Sequence, residues 1–83
     1  MKHSERISQH IVDRHFVPAW RARRETLEIR AGNVHKEIGL VNRMPAICSV
    51  LGSQRFQQLT RCHLVERKGP HNGANAIFVF HLD

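Results

Sequence analysis

NVHKEIGLVNRMPAICSVLGS, residues 33–53, is the stretch whose reading decides the fold. It reads as two short helices meeting at a tight turn. Asn33 is a good N-cap for a helix through Ile38, with Val34 and Ile38 spaced to face a core. Gly39 is free to take the left-handed conformation that ends helices. Asn42 offers a second N-cap, Pro45 is tolerable in a first turn, and Met44, Ile47, Cys48 and Leu51 form an apolar stripe at helical spacing. Gly52 and Ser53 then read as a stop and a restart. Phe56 and Leu59 are expected to anchor a further turn or two ending near Cys62. Whether Gly52 breaks the helix or bends it is open at this level.

Upstream, Ser4 offers an N-cap, and Ile7, Ile11, His15 and Phe16 recur along one helical face. Pro18 cannot donate a hydrogen bond and disfavours a helical Val17. The helix is therefore expected to end or kink there, ahead of Trp20 and the cluster Arg21, Arg23 and Arg24. Thr26 to Arg30 alternates polar and apolar residues as a short strand does, closed by Ala31 and Gly32. Downstream, His63 to Arg67 and Ala76 to Leu82 are strand-like, and Gly69, Pro70, Asn72 and Gly73 punctuate the segment between them, which predicts a β-hairpin with a long tip. By alternation Phe78 and Phe80 share a strand face opposite Ile77 and Val79.

Composition bounds what such a chain can do. At 83 residues, 41% of them hydrophobic and 24% charged, it has the makeup of one small folded domain. A domain this small buries only about 60% of its unfolded surface, so a second copy or a larger protein partner would add useful burial. Thirteen Lys and Arg against seven Asp and Glu give a formal charge of +6 and a pI near 10.7, a surface that attracts polyanions. Seven histidines would add positive charge on acidification. Cys48 and Cys62 are too few and too far apart for a disulfide scaffold or a paired-cysteine metal motif, and are expected to be reduced, packed thiols. No apolar run is long enough to span a bilayer, and Met1 to Gln9 lacks the apolar core of a signal peptide. A cytoplasmic chain is expected, nucleoid-associated in a bacterium.

Helix, strand, helix, helix and hairpin in that order make the helix-turn-helix arrangement with a wing. Lys36-Glu37-Ile38-Gly39-Leu40 resembles the end of the first helix of that motif. His63-Leu64-Val65-Glu66-Arg67 resembles the strand leading into the wing of winged helix-turn-helix proteins. The resemblance spans Leu27 to Leu82, and it implies an α+β fold with an N-terminal helix and basic segment (1–24), a helix-turn-helix region (33–62) and a wing hairpin (63–82). It also implies a DNA-binding role, with the second motif helix in the major groove and the wing on the backbone. One departure stands out: the stretch from Leu40 to Leu64 is longer than a single recognition helix, and the Gly52-Ser53 break falls inside it.

The charge layout agrees with that role, since no acidic residue lies between Glu37 and Glu66 while Arg43, Arg55 and Arg61 do. Arginine pairs bidentately with guanine or phosphate oxygens. Opposite the apolar stripe of the candidate recognition helix lie Asn42, Arg43, Ala46, Ser49 and Ser53, short groups plus one long cation able to approach base edges, with Arg43 the foremost candidate. Around the hairpin tip Arg67, Lys68, His71, Asn72 and Asn75 combine cations and amides suited to phosphate contact or minor-groove entry. The chain would then act as a small transcription regulator or as a domain of a larger DNA-processing protein. The alternative is a winged helix used for protein contact, with Ala46, Val50 and Ile77 or Val79 forming an apolar patch. RNA finds less support, because most of the five aromatic residues look core-bound.

Catalysis is not expected: paired carboxylates, a phosphate-binding glycine loop and a nucleophile motif are all missing from the sequence. His10 and His15 stand five apart, close to one helical face, but lack a third ligand at motif spacing, so neither metal nor cofactor is expected.

Overall fold

The computed structural model describes residues 3–39, 44–70 and 73–82. The N-terminal helical run is longer than Pro18 led us to expect. Helix α1 (His3–Ile11) passes into a π-helical turn (Val12–Phe16) and then α2 (Val17–Arg21), with right-handed helical dihedrals at Ile11, Phe16 and Val17. α1 already includes His3, so Ser4 does not mark its start. Val17 N–H reaches back five residues to the Val12 carbonyl. Pro18 thus falls in the first turn of α2, where a missing N–H is tolerated. The run ends instead in a Schellman turn: Arg23 N–H donates to Trp20 O and Arg24 N–H to Ala19 O, both at 3.0 Å, with Arg23 left-handed at φ 55°.

Strand β1 (Thr26–Arg30) leads straight into α3 (Ala31–Ile38), so the helix begins two residues before the expected cap, and Asn33 lies exposed inside it. No capping side chain is needed, because the hairpin connection supplies the acceptors. Ala31 N–H donates to Ala76 O and Gly32 N–H to Ala74 O, both at 2.9 Å. That approach is so close that a Cβ on Gly32 would stand 2.7 Å from the Ala74 oxygen. α3 closes as expected on a left-handed Gly39, at φ 77°. The second expected cap, Asn42, lies outside the described residues.

α4 (Met44–Leu51) buries Ile47, Cys48 and Leu51, as its stripe predicts, and Val50 as well. Gly52 is a break and not a bend: Ser53 is extended (φ −82°, ψ 147°) and starts α5 (Gln54–Thr60). Its Oγ accepts from Phe56 N–H at 3.1 Å and donates to Val50 O at 2.9 Å, so one hydroxyl serves both helices. Phe56 is buried, but Leu59 is 62% exposed and does not anchor the helix. Thr60 Oγ1 donates to Phe56 O and accepts from Cys62 N–H, and Gln57 Oε1 accepts from Leu64 N–H, which ties α5 to the next strand.

Strands β2 (His63–Lys68) and β3 (Ile77–His81) form the expected hairpin, and the sheet is antiparallel in the order β1-β3-β2. Ile29 lies opposite Phe78, and Leu27 and Leu64 flank Phe80 from either side. Both Phe78 and Phe80 are fully buried. Phe80 meets Phe16 and Phe56 at ring-centroid distances of 5.2 and 5.9 Å, and Phe16 meets Phe56 at 5.5 Å, all edge-on. This aromatic cluster, with Ile7, Ile11, Val34, Ile47 and Leu51, joins the sheet to the helical layer of a small α+β domain. Both cysteines are buried free thiols. Among the described residues no helix is long and apolar enough to cross a membrane.

Candidate nucleic-acid interface

Helices α3 and α4 pack against each other. Arg43, Asn42, His71 and Asn72 lie outside the described residues, so the geometry of the interface rests on the other candidates. Ser49 is exposed on α4, whereas Ala46 is half-buried against the core. Ser53 is half-buried and its hydroxyl is engaged at the α4–α5 junction. Arg55 is exposed in the first turn of α5.

Ser49, Ser53 and Arg55 come together, though not on an open convex face. They line one side of a groove of about 450 Å³ whose other side is Glu5, Ser8 and Gln9 of α1, with Val50, Phe56 and Leu59 as its apolar part. A phosphate entering there would meet the Glu5 carboxylate as well as the Arg55 guanidinium. Arg67 and Lys68, the hairpin cations, end β2. The Arg67 guanidinium stands over the Phe78 ring, 4.6 Å from its centroid, and a Cβ on Gly52 would come within 3.0 Å of it. It also offsets part of what burial does to Cys48, whose thiol is nevertheless pushed above its ordinary value. Arg67 therefore links β2 to the α4–α5 turn, while Lys68 is exposed beyond it.

The alternative apolar patch is not assembled as expected. Val50 is buried, Ala46 half-buried, and Ile77 and Val79 only half-exposed. Among the described residues, the large apolar groups that do reach the surface are Leu59, Val65 at 58% and Trp20 at 38%. Trp20 leans on Phe16 with centroids 5.6 Å apart, and the four phenylalanines are all buried, so among the described residues Phe and Trp form no exposed set of rings for stacking bases.

Sequence spacing offers His10 and His15 no third partner, but the fold supplies one. Glu37 of α3 accepts from both imidazoles, with Nε2 of each 2.9 Å from Oε1. Burial pushes the Glu37 carboxyl up, but the hydrogen bonds and charges of the two histidines outweigh it and hold the group below its ordinary value. The signal available beforehand was weak: Glu37 is 22 residues from His15 and 27 from His10, so only the packing of α3 on the N-terminal run brings them together.

Comparison of the chain with models of protein families, with curated proteins and with solved structures finds no match.

Proposed function

We propose that this chain binds duplex DNA as a winged helix-turn-helix module, with α3 and α4 as the motif helices and the β2–β3 hairpin as the wing. The observation that carries the reading is the charge layout. A net +6 is distributed so that α4, α5 and the first residues of β2 hold no carboxylate, between Glu37 and Glu66. Polyanion binding needs such a surface, since each phosphate met by Lys or Arg releases counterion while a nearby carboxylate repels it. The element order supports the reading, as does the exposure of Arg55 and Lys68. Arg43, which precedes α4 in the sequence, is the residue we assign to a base or a flanking phosphate, and Arg55, Arg67 and Lys68 to the backbone. A small regulator or one domain of a DNA-processing protein would use the same surface.

The groove between α1 and α4–α5 favours a second reading, a winged helix that docks a protein segment. Val50, Phe56 and Leu59 give it apolar lining, and Glu5 makes part of its rim unsuited to phosphate. A mobility-shift titration against random-sequence duplex at two salt concentrations separates the two readings. Binding that weakens steeply with salt supports DNA; absence of duplex binding at low salt would refute it and leave the protein-docking reading.

A further inference from the structure

His10, His15 and Glu37 meet at one point between the N-terminal helical run and α3. Their ligand atoms, the two Nε2 and the Glu37 carboxylate oxygen, all lie within 4.8 Å of one another. The π-helical turn between the histidines explains how a spacing of five can serve. In a regular α-helix residues three and four apart are face neighbours, whereas i→i+5 bonding over Val12–Phe16 carries His15 round toward His10. The rings meet edge-on with centroids 6.4 Å apart, and both Nε2 atoms aim at the same oxygen.

We propose that His10, His15 and Glu37 form a binding site for a divalent transition-metal ion of the zinc type, ligated by two imidazole nitrogens and one carboxylate oxygen. The donor set is chemically selective. Two imidazoles favour zinc, copper or nickel over magnesium and calcium, which require oxygen. Metal–ligand bonds of about 2.0–2.1 Å in tetrahedral array place ligand atoms about 3.4 Å apart. To admit an ion, the two nitrogen–oxygen separations of 2.9 Å must open by about half an ångström, and the two Nε2 atoms, which lie within 4.8 Å of each other, must settle near the same tetrahedral spacing. To ligate, each Nε2 must give up the hydrogen it directs at the carboxylate, to Nδ1 if the ring is neutral or to solvent if the ring is protonated. Access is available, because the side chains of His10, His15 and Glu37 are 19%, 20% and 39% exposed. In a chain with 13 Lys and Arg, the ion-pair partners of Glu37 among the described residues are these two imidazoles and no Lys or Arg. Among the described residues no fourth His, Cys, Asp or Glu joins the group, so water or an external donor would take the remaining position. An ion held there would pin α1 and its π turn to α3. This inference is independent of whether the chain binds DNA.

The test uses the full chain, stripped of metal with a chelator and titrated with Zn2+ by calorimetry, with Co2+ as a spectroscopic probe. One equivalent of Zn2+ should bind, and Co2+ should give visible bands of a four- or five-coordinate nitrogen–oxygen site. Zn2+ at about a hundred times its Kd should raise Tm by on the order of 10 °C. His10→Ala, His15→Ala and Glu37→Ala should each weaken Zn2+ binding at least tenfold and remove the rise in Tm. Glu37→Gln, which retains shape and an acceptor oxygen, should do the same without unfolding the metal-free chain. His63→Ala, at an exposed position of β2, should leave binding unchanged, and Mg2+ should not bind. Absence of one-equivalent binding, or loss that is equal in the His63 and His10 variants, would overturn the proposal. Wild-type affinity in the Glu37→Gln variant would overturn it as well.

Discussion

Strands β2 and β3 carry similar strand signals in the sequence and have opposite fates in the fold. β3 is the central strand, with Phe78 and Phe80 fully buried and bonded partners on both sides. β2 is an edge, exposed along nearly its whole length, with a bulge that skips Val65 between Leu64 and Glu66. Alternation identifies a strand but not its rank in a sheet, and here rank divides the labour. The central strand supplies core, and the edge strand presents Arg67 and Lys68, two of the four cations proposed to meet DNA.

The largest test of that division is Phe80→Ala, which removes a ring touching both Phe16 and Phe56. It should cost about 3–5 kcal/mol in urea unfolding, as large core truncations do. Val65→Ala on the edge bulge should stay within about 0.5 kcal/mol of wild type. Comparable losses in the two variants would abolish the distinction.

How much of this was legible in advance follows the same line. The hairpin, β1, the pairing of Phe78 with Phe80 on one face, the stripe of α4 and the Ser53 restart could all be read because each depends on local periodicity or one capping side chain. What could not be read depends on partners distant in sequence. α3 starts at Ala31 because carbonyls from the hairpin connection replace the cap that Asn33 was expected to provide. The helix survives Pro18 because a π turn precedes it, and Leu59 is exposed despite its spacing because the buried line of α5 runs through Phe56 and Thr60 and leaves Leu59 at the groove. Of the candidate interface, the charge layout was legible, but the groove with Glu5 and the engagement of Ser53 and Arg67 arise only from packing.

The junction where the hairpin feeds α3 offers the next largest effect. Gly32→Ala puts a Cβ against the Ala74 oxygen, and separating them disturbs the two bonds that start α3. A loss of about 1–3 kcal/mol in thermal or urea unfolding is expected, in the range of overpacking. A neutral result would mean that α3 does not lean on the β3 side of the hairpin.

At the foot of the edge strand, Ser53→Ala should cost about 1 kcal/mol, the usual cost of removing an N-cap. The same unfolding measurement should find Ser53→Gly milder by a few tenths of a kcal/mol or more, since glycine is tolerated at that position. Along β2 itself the neighbouring cations should differ. Arg67→Ala loses its contact with Phe78 and should destabilise by about 0.5–1 kcal/mol, while Lys68→Ala should leave the unfolding midpoint within experimental error.

Duplex binding as a function of salt tests the central claim most directly. With Arg43, Arg55, Arg67 and Lys68 as contacts, the logarithm of affinity for DNA should fall against the logarithm of salt concentration with a slope of roughly −3 to −4. Lys68→Ala, which leaves the fold intact, should reduce the magnitude of that slope by about one. Arg14→Ala, on the π-helical turn of the N-terminal run, should leave it unchanged. A slope near zero, or an equal loss of slope in the Arg14 and Lys68 variants, would contradict a duplex interface built from the helix pair and the hairpin.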